Sequence, residues 1–240
     1  MNALIFLIII FLSLVLFFIP RNFKYWFTLI LVTGTVLLTS CWSIGLFSGN
    51  DEILKFEPPF QFLREGFILT IDRLSGFFII VINITVFTAF IYAGGYLKSY
   101  SGKKKNLLFS IHYFSFLWLY LSMLLVVMVR NGLAFLIVWE IMALSSFFLV
   151  IFDAEDRTII KTGISYLIQM HVGMFFILVA FMLVERATGE MSFDALKTYF
   201  LSNSNLPLFL LFFTGFGIKA GFIPLHTWLP EAHPDRKSVV

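Results

Sequence analysis

Apolar residues run along this chain in long stretches, and the polar residues collect in the short segments between them. A helix needs roughly 20 consecutive apolar residues to cross a bilayer. Seven stretches approach that length: residues 2–19, 25–47, 76–97, 107–129, 132–152, 162–184 and 206–223. Each is predicted to form a membrane-spanning helix, which gives an all-α polytopic bundle. The first stretch has no positively charged leader and no small-residue cleavage site after it, so it reads as a span rather than a signal peptide. All 240 residues then form a single membrane domain.

Composition agrees. Apolar residues make up 60% of the chain, charged residues 13%, and Phe alone supplies 32 positions. A soluble domain carries about a quarter charged residues. These values exclude a cytosolic enzyme, a disordered chain and a nucleic-acid partner, and they name the lipid bilayer as the main environment. The net charge of +3 resides in the loops. Ten Lys and Arg fall in the loops after spans 1, 3, 5 and 7, against six after spans 2, 4 and 6. Basic residues favour the cytoplasmic side, so the N-terminus is expected outside and the Lys103–Lys105 cluster inside. The single Cys41 supports neither an internal disulfide nor a multi-cysteine metal site.

Two loops exceed what a connector needs. Residues 48–75 form an outer loop whose alternating stretch at 67–72 suggests a small β-hairpin. Residues 185–205 contain an amphipathic stretch at 191–201, with Ser192 as N-cap, suited to an interfacial helix.

Two charges stand apart. Of 17 Lys and Arg, the loops and span ends account for all but Lys219; of 14 Asp and Glu, they account for all but Glu140. A charge at bilayer depth costs about 3 kcal/mol on insertion scales and is functional by default. Glu140 and Lys219 are therefore expected to face each other. Burial favours the neutral form of an amine or a carboxyl, and a facing opposite charge favours the ionised form. Such a pair titrates as one unit and can relay a proton. Its structural alternative is a salt bridge that only fixes helix packing. Gly215, Gly217 and Gly221, followed by Pro224, suggest that span 7 is broken near Lys219, as at the ion sites of transporters. His171 and His226 are further relay candidates, since imidazole exchanges protons near neutral pH. For His171 the alternative is a hydrogen bond to Gln169, Ser165 or a backbone carbonyl that holds helices together. No nucleophile–base set, metal cluster or Gly-rich phosphate loop marks an enzyme with its own catalytic centre.

Val138-Trp-Glu-Ile-Met-Ala-Leu-Ser-Ser-Phe resembles the fifth-helix motif of the antiporter-like subunits of respiratory complex I. Gly215-Phe-Gly-Ile-Lys-Ala-Gly-Phe-Ile-Pro-Leu-His-Thr-Trp-Leu-Pro-Glu-Ala-His-Pro resembles their seventh-helix motif, and Ile71-Asp-Arg-Leu-Ser-Gly-Phe-Phe the start of their third. The family includes Mrp-type antiporters and the large membrane subunits of energy-converting hydrogenases. Lys161-Thr-Gly-Ile-Ser-Tyr-Leu-Ile-Gln-Met-His-Val-Gly is most similar to the hydrogenase-4 and formate hydrogenlyase branch. The resemblance implies that Glu140 is the glutamate of a proton channel and Lys219 its partner, in a subunit driven by redox chemistry elsewhere. It implies no cofactor in this chain, partner membrane and peripheral subunits, a part in a membrane-bound oxidoreductase, and a prokaryotic inner membrane. Family members have about fourteen helices in two inverted repeats, so this chain is expected to be truncated after the seventh. The alternative function is a non-transporting fragment or assembly element.

Overall fold

The computed structural model describes residues 4–48, 54–56, 68–100, 102, 104–153, 157–202, 204–223, 226 and 228. It contains α1 (Leu4–Val15), α2 (Arg21–Phe47), β1 (Leu54–Phe56), β2 (Leu69–Ile71), α3 (Arg73–Lys98), α4 (Asn106–Met128), α5 (Gly132–Val150), α6 (Arg157–Thr188), α7 (Ala195–Ser202) and α8 (Asn205–Ala220). Five of these, α2 to α6, are long and apolar enough to cross a membrane. The first and seventh apolar runs form shorter helices, α1 with 12 residues and α8 with 16. The protein is an all-α, multi-pass membrane protein. Contacts divide it into two compact units, residues 1–130 and 131–240.

In the first unit the usual arrangement of a soluble helix is reversed. The buried face of α2 carries Lys24, Thr28, Val32, Thr35, Thr39, Ser43 and Leu46, while Phe23, Trp26, Ile30 and Leu37 are exposed. Lipid is as apolar as leucine, so apolar side chains gain nothing by turning inward, and small or polar residues take the helix contacts. Most of the hydroxyls donate to the carbonyl four residues back: Thr28 to Lys24, Thr35 to Leu31, Thr39 to Thr35 and Ser43 to Thr39, at 2.7–2.8 Å. Asn83 of α3 gathers the unit together. Its amide donates to Thr39 Oγ1 at 2.9 Å and Ser40 Oγ at 2.8 Å, and its Oδ1 accepts from the Tyr120 hydroxyl of α4 at 2.7 Å.

Lys24 departs from the expectation that every basic residue but Lys219 lies in a loop or at a span end. Helix α2 begins at Arg21, which draws Lys24 into its first turn and buries it completely. Its ammonium donates to the Leu16 carbonyl at 2.6 Å and to Ser110 Oγ at 2.5 Å, so it satisfies the carbonyl end of the turn that follows α1. Position in the sequence placed it beside water; the early start of the helix removed it.

Within 48–75, β1 and β2 pair antiparallel, Leu54 opposite Ile71 and Phe56 opposite Leu69; residues 57–67 lie outside the described residues. Asp72 closes the structure at the start of α3. Its carboxylate accepts from the Ser75 amide at 2.8 Å, which caps the helix. It also pairs with the Arg130 guanidinium, which donates to Thr70 Oγ1 at 2.8 Å. Burial alone raises the Asp72 carboxyl, but the Ser75 amide and the Arg130 charge outweigh it and hold the group below its ordinary 3.8.

In the second unit α5 is anchored at its first residue. The Gly132 amide donates to the Met191 carbonyl at 2.8 Å, and Asn131 Oδ1 caps the Ala134 amide at 3.1 Å. Helix α7 begins at Ala195, whose amide donates to Ser192 Oγ at 3.1 Å. It buries Ala195 and Tyr199 in a cluster with Ala180, Val184 and Leu208. Phe200 and Leu201 stay exposed.

The depressed Asp72 carboxyl contributes stability that is complete above pH 3.8 and is lost as pH falls through its folded value. Asp72→Ala is expected to cost about 1–2 kcal/mol at neutral pH through the lost cap. In thermal melts in detergent, the gap between wild type and variant should close progressively below pH 3.8. A gap that stays constant into acid would contradict this account.

Candidate functional site

Glu140 and His171 meet in the second unit. Glu140 lies in α5 and His171 in α6, and Nε2 of the imidazole stands 3.1 Å from Oε2 of the carboxylate. The other ring nitrogen, Nδ1, is 2.8 Å from the Leu167 carbonyl. A carbonyl only accepts, so Nδ1 carries a hydrogen. Nε2 is then the nitrogen that faces Oε2, an acceptor when the ring is neutral and a donor when it is protonated. The second carboxylate oxygen, Oε1, is buried and has no hydrogen-bond partner among the described residues.

Lys219 of α8 reaches the same region by another route. Its ammonium lies 5.1 Å from the centroid of the Trp139 ring, next to Glu140 in sequence, which is a cation–π arrangement. Among the described residues, Lys219 makes no ion pair within 4.0 Å, yet the Glu140 charge acts on it electrostatically. Tyr166 of α6 also lies within electrostatic reach of Glu140. The Trp139 ring is itself held by Phe135 at 5.7 Å and Phe216 at 5.7 Å. Acid, imidazole and amine thus share one region, with the imidazole against the acid and an aromatic face under the amine.

The crossing of α6 and α8 sets these positions. A Cβ at Gly215 would stand 2.5 Å from Ile177 Cγ1 and 2.8 Å from the Gly173 carbonyl, and one at Gly173 would stand 3.0 Å from the Gly215 carbonyl. Small residues here let two backbones touch. Gly215 and Gly217 therefore lie inside an unbroken helix, not at the break expected there. The helix ends at Gly221, the left-handed residue with φ 77°. Its amide donates to the Ile218 carbonyl at 3.2 Å, and the Phe222 amide to the Gly217 carbonyl at 2.9 Å, which is a Schellman ending. Lys219 thus sits in the last turn. Trp228 pins the chain beyond: its indole donates to the Ile218 carbonyl at 3.1 Å and its ring meets Tyr166 edge-on at 5.2 Å.

Pro224 lies outside the described residues. His226 is described, and its Nδ1 is buried without a hydrogen-bond partner among the described residues. No described contact joins it to Glu140, His171 or Lys219. Gln169 donates to Ser165 Oγ at 3.3 Å on the same helix. Sequence reasoning missed the role of Trp139. Its position immediately before the isolated glutamate was the signal available.

Residues 129–238 match the family model for the NADH:quinone oxidoreductase/Mrp antiporter transmembrane region. The match to this antiporter-like family covers the second unit of the chain and a little under half of its length. Hydrogenase-4 component B of Escherichia coli K12 is 37% identical over 194 residues, which is 80% of this chain and 28% of that protein. NADH-ubiquinone oxidoreductase chain 4 of Arabidopsis thaliana is 26% identical over 230 residues, covering 93% of this chain and 45% of that one. The chain spans less than half the length of these antiporter-like relatives. The fold is shared with a chain of the archaeal membrane-bound sulfane sulfur reductase, with a TM-score of 0.76 and 22% identity over 95% of this chain and 45% of that one. It is shared too with a chain of Thermus thermophilus respiratory complex I, with a TM-score of 0.68 and 19% identity over 96% and 46%.

Gly215→Val is expected to force α6 and α8 apart and lower stability by about 1–3 kcal/mol through overpacking. Gly34→Val is the control, since a Cβ there meets nothing within 4 Å. Equal melting temperatures for the two variants would refute the close crossing.

Proposed function

We propose that this chain carries protons, or exchanges them for Na⁺, as part of a membrane subunit of a redox-driven complex of the hydrogenase-4 and NADH dehydrogenase type. Glu140, His171 and Lys219 are the relay. The observation that carries this reading is the 3.1 Å contact between Glu140 and His171 within apolar helices. The membrane family and the hydrogenase-4 relative supply its context.

The chemistry is transfer over a short gap. With Nε2 unprotonated, a proton taken up by Glu140 makes a neutral carboxyl whose Oε2 faces Nε2 at 3.1 Å. Transfer to the ring recreates the carboxylate and leaves an imidazolium. The Lys219 charge acts on the same carboxylate, so displacement of either group shifts where the proton rests. The protein needs no cofactor for this step, and the driving redox centres belong to partner subunits. The hydrogenase-4 relative points to a prokaryotic inner membrane. Basic residues in the loops point to an N-terminus outside.

The test uses the assembled complex in proteoliposomes with a pH-sensitive dye. Glu140→Gln and His171→Phe should each cut proton translocation roughly 10-fold or more, given the usual weight of a positioned acid–base group. Lys219→Arg separates relay from scaffold. Arginine keeps the charge but does not give up its proton, so translocation should fall while assembly stays intact. Full translocation by Lys219→Arg would assign Lys219 a packing role, and full translocation by Glu140→Gln would remove the relay altogether.

A further inference from the structure

The first unit holds a cavity that the relay does not use. It measures about 550 Å³ and lies between the start of α2, the end of α3 and the start of α4. Arg21, Tyr25, Trp26, Ile91, Gly94 and Lys98 are among its walls. We propose that it binds one anionic glycerophospholipid, with the phosphate between Arg21 and Lys98 and an acyl chain along Trp26 and Ile91.

The head of the cavity is cationic. Arg21 is held with its guanidinium 4.0 Å over the Phe109 ring, and Nη2 donates to the Tyr100 carbonyl at 3.4 Å. That leaves most of its five N–H donors for a ligand. Among the described residues no carboxylate pairs with Arg21 or Lys98. Arg21 is also the first residue of α2, and its N-cap, Pro20, supplies no side-chain cap. The positive end of the helix dipole therefore adds to the two cations. A fixed guanidinium and a mobile ammonium around one phosphate form a common pairing, the first by fork geometry and the second as a point charge.

The other end is apolar and opens to lipid. Trp26 is 62% exposed and Ile91 52% exposed. Two adjacent glycines shape the passage between them. A Cβ at Gly94 would meet the Tyr25 ring at 2.6 Å, so that wall is closed, whereas a Cβ at Gly95 would meet nothing within 4 Å. Tyr25 is kept in place by stacking on Phe90 at 5.3 Å. A ligand that fits both ends is anionic at one and hydrocarbon at the other. Free phosphate matches only the first half. The basic residues that collect in the loops on this side agree with the leaflet where anionic headgroups are recognised.

The experiment uses the assembled complex in phosphatidylcholine nanodiscs containing a minor fraction of phosphatidylglycerol with a photoreactive acyl chain. Cross-linked peptides are mapped by mass spectrometry. The expected result is labelling in α2 and α3 near Trp26 and Ile91, displaced by unlabelled phosphatidylglycerol and not by inorganic phosphate. The double variant Arg21→Gln/Lys98→Gln should lower it roughly tenfold, as expected for cations near an anionic lipid surface. Gly95→Leu keeps both cations, fills the open passage and should lower labelling as well, which covers the case of a double variant that fails to assemble. Equal labelling by photoreactive phosphatidylcholine would show ordinary boundary lipid and overturn the proposal. Displacement by phosphate would replace it with a soluble-anion site. Absence of labelling in α2 and α3 would overturn it.

Discussion

A carboxylate inside a lipid layer persists only where a polar group faces it, and in this protein the imidazole of His171 faces Glu140 at 3.1 Å. Much of the second unit can be traced from that contact. Helix α6 must lie against α5 with His171 turned toward it, and the Leu167 carbonyl must hold the other ring nitrogen. Helix α8 must then approach α6 closely enough for Lys219 to feel the same carboxylate, which the Gly173–Gly215 crossing permits. The Schellman ending at Gly221 stops α8 just beyond Lys219, and Trp228 secures the chain that follows. The site is therefore assembled by helix packing, with small residues where backbones meet and aromatic faces around the charges.

The first unit obeys the same rule with different chemistry. Among the described residues Lys24 pairs with no carboxylate; a carbonyl and a serine hydroxyl receive its hydrogens. Asn83 connects three helices through neutral groups. These bonds hold helices together because lipid offers no water to compete for the donors. They also explain why the exposed faces of α2 and α3 are so rich in Phe, Trp and Ile, whose only requirement is hydrocarbon.

Trp139 gives the Glu140 region a feature that a simple acid–base pair would lack. An ammonium over an indole face is stabilised without surrendering a proton to it, since the ring quadrupole is not a base. Lys219 is thus held near Glu140 while remaining separate from the Glu140–His171 contact.

Lipid imposes composition directly, so the sequence by itself determined the apolar runs, the all-α class and the isolation of Glu140 and Lys219. Seventeen basic and fourteen acidic residues could be sorted by position because a charge in hydrocarbon is costly wherever it occurs. The motifs around both residues also pointed to the family whose model residues 129–238 match. Only the tertiary structure decided which groups meet. Partner choice depends on helix rotation and approach, set by contacts between residues far apart in the chain, such as Gly173 with Gly215. The same holds for Lys24, whose burial followed from where α2 begins and from a serine 86 residues away. Cost of burial is a property of each residue alone, whereas pairing belongs to the packed helices.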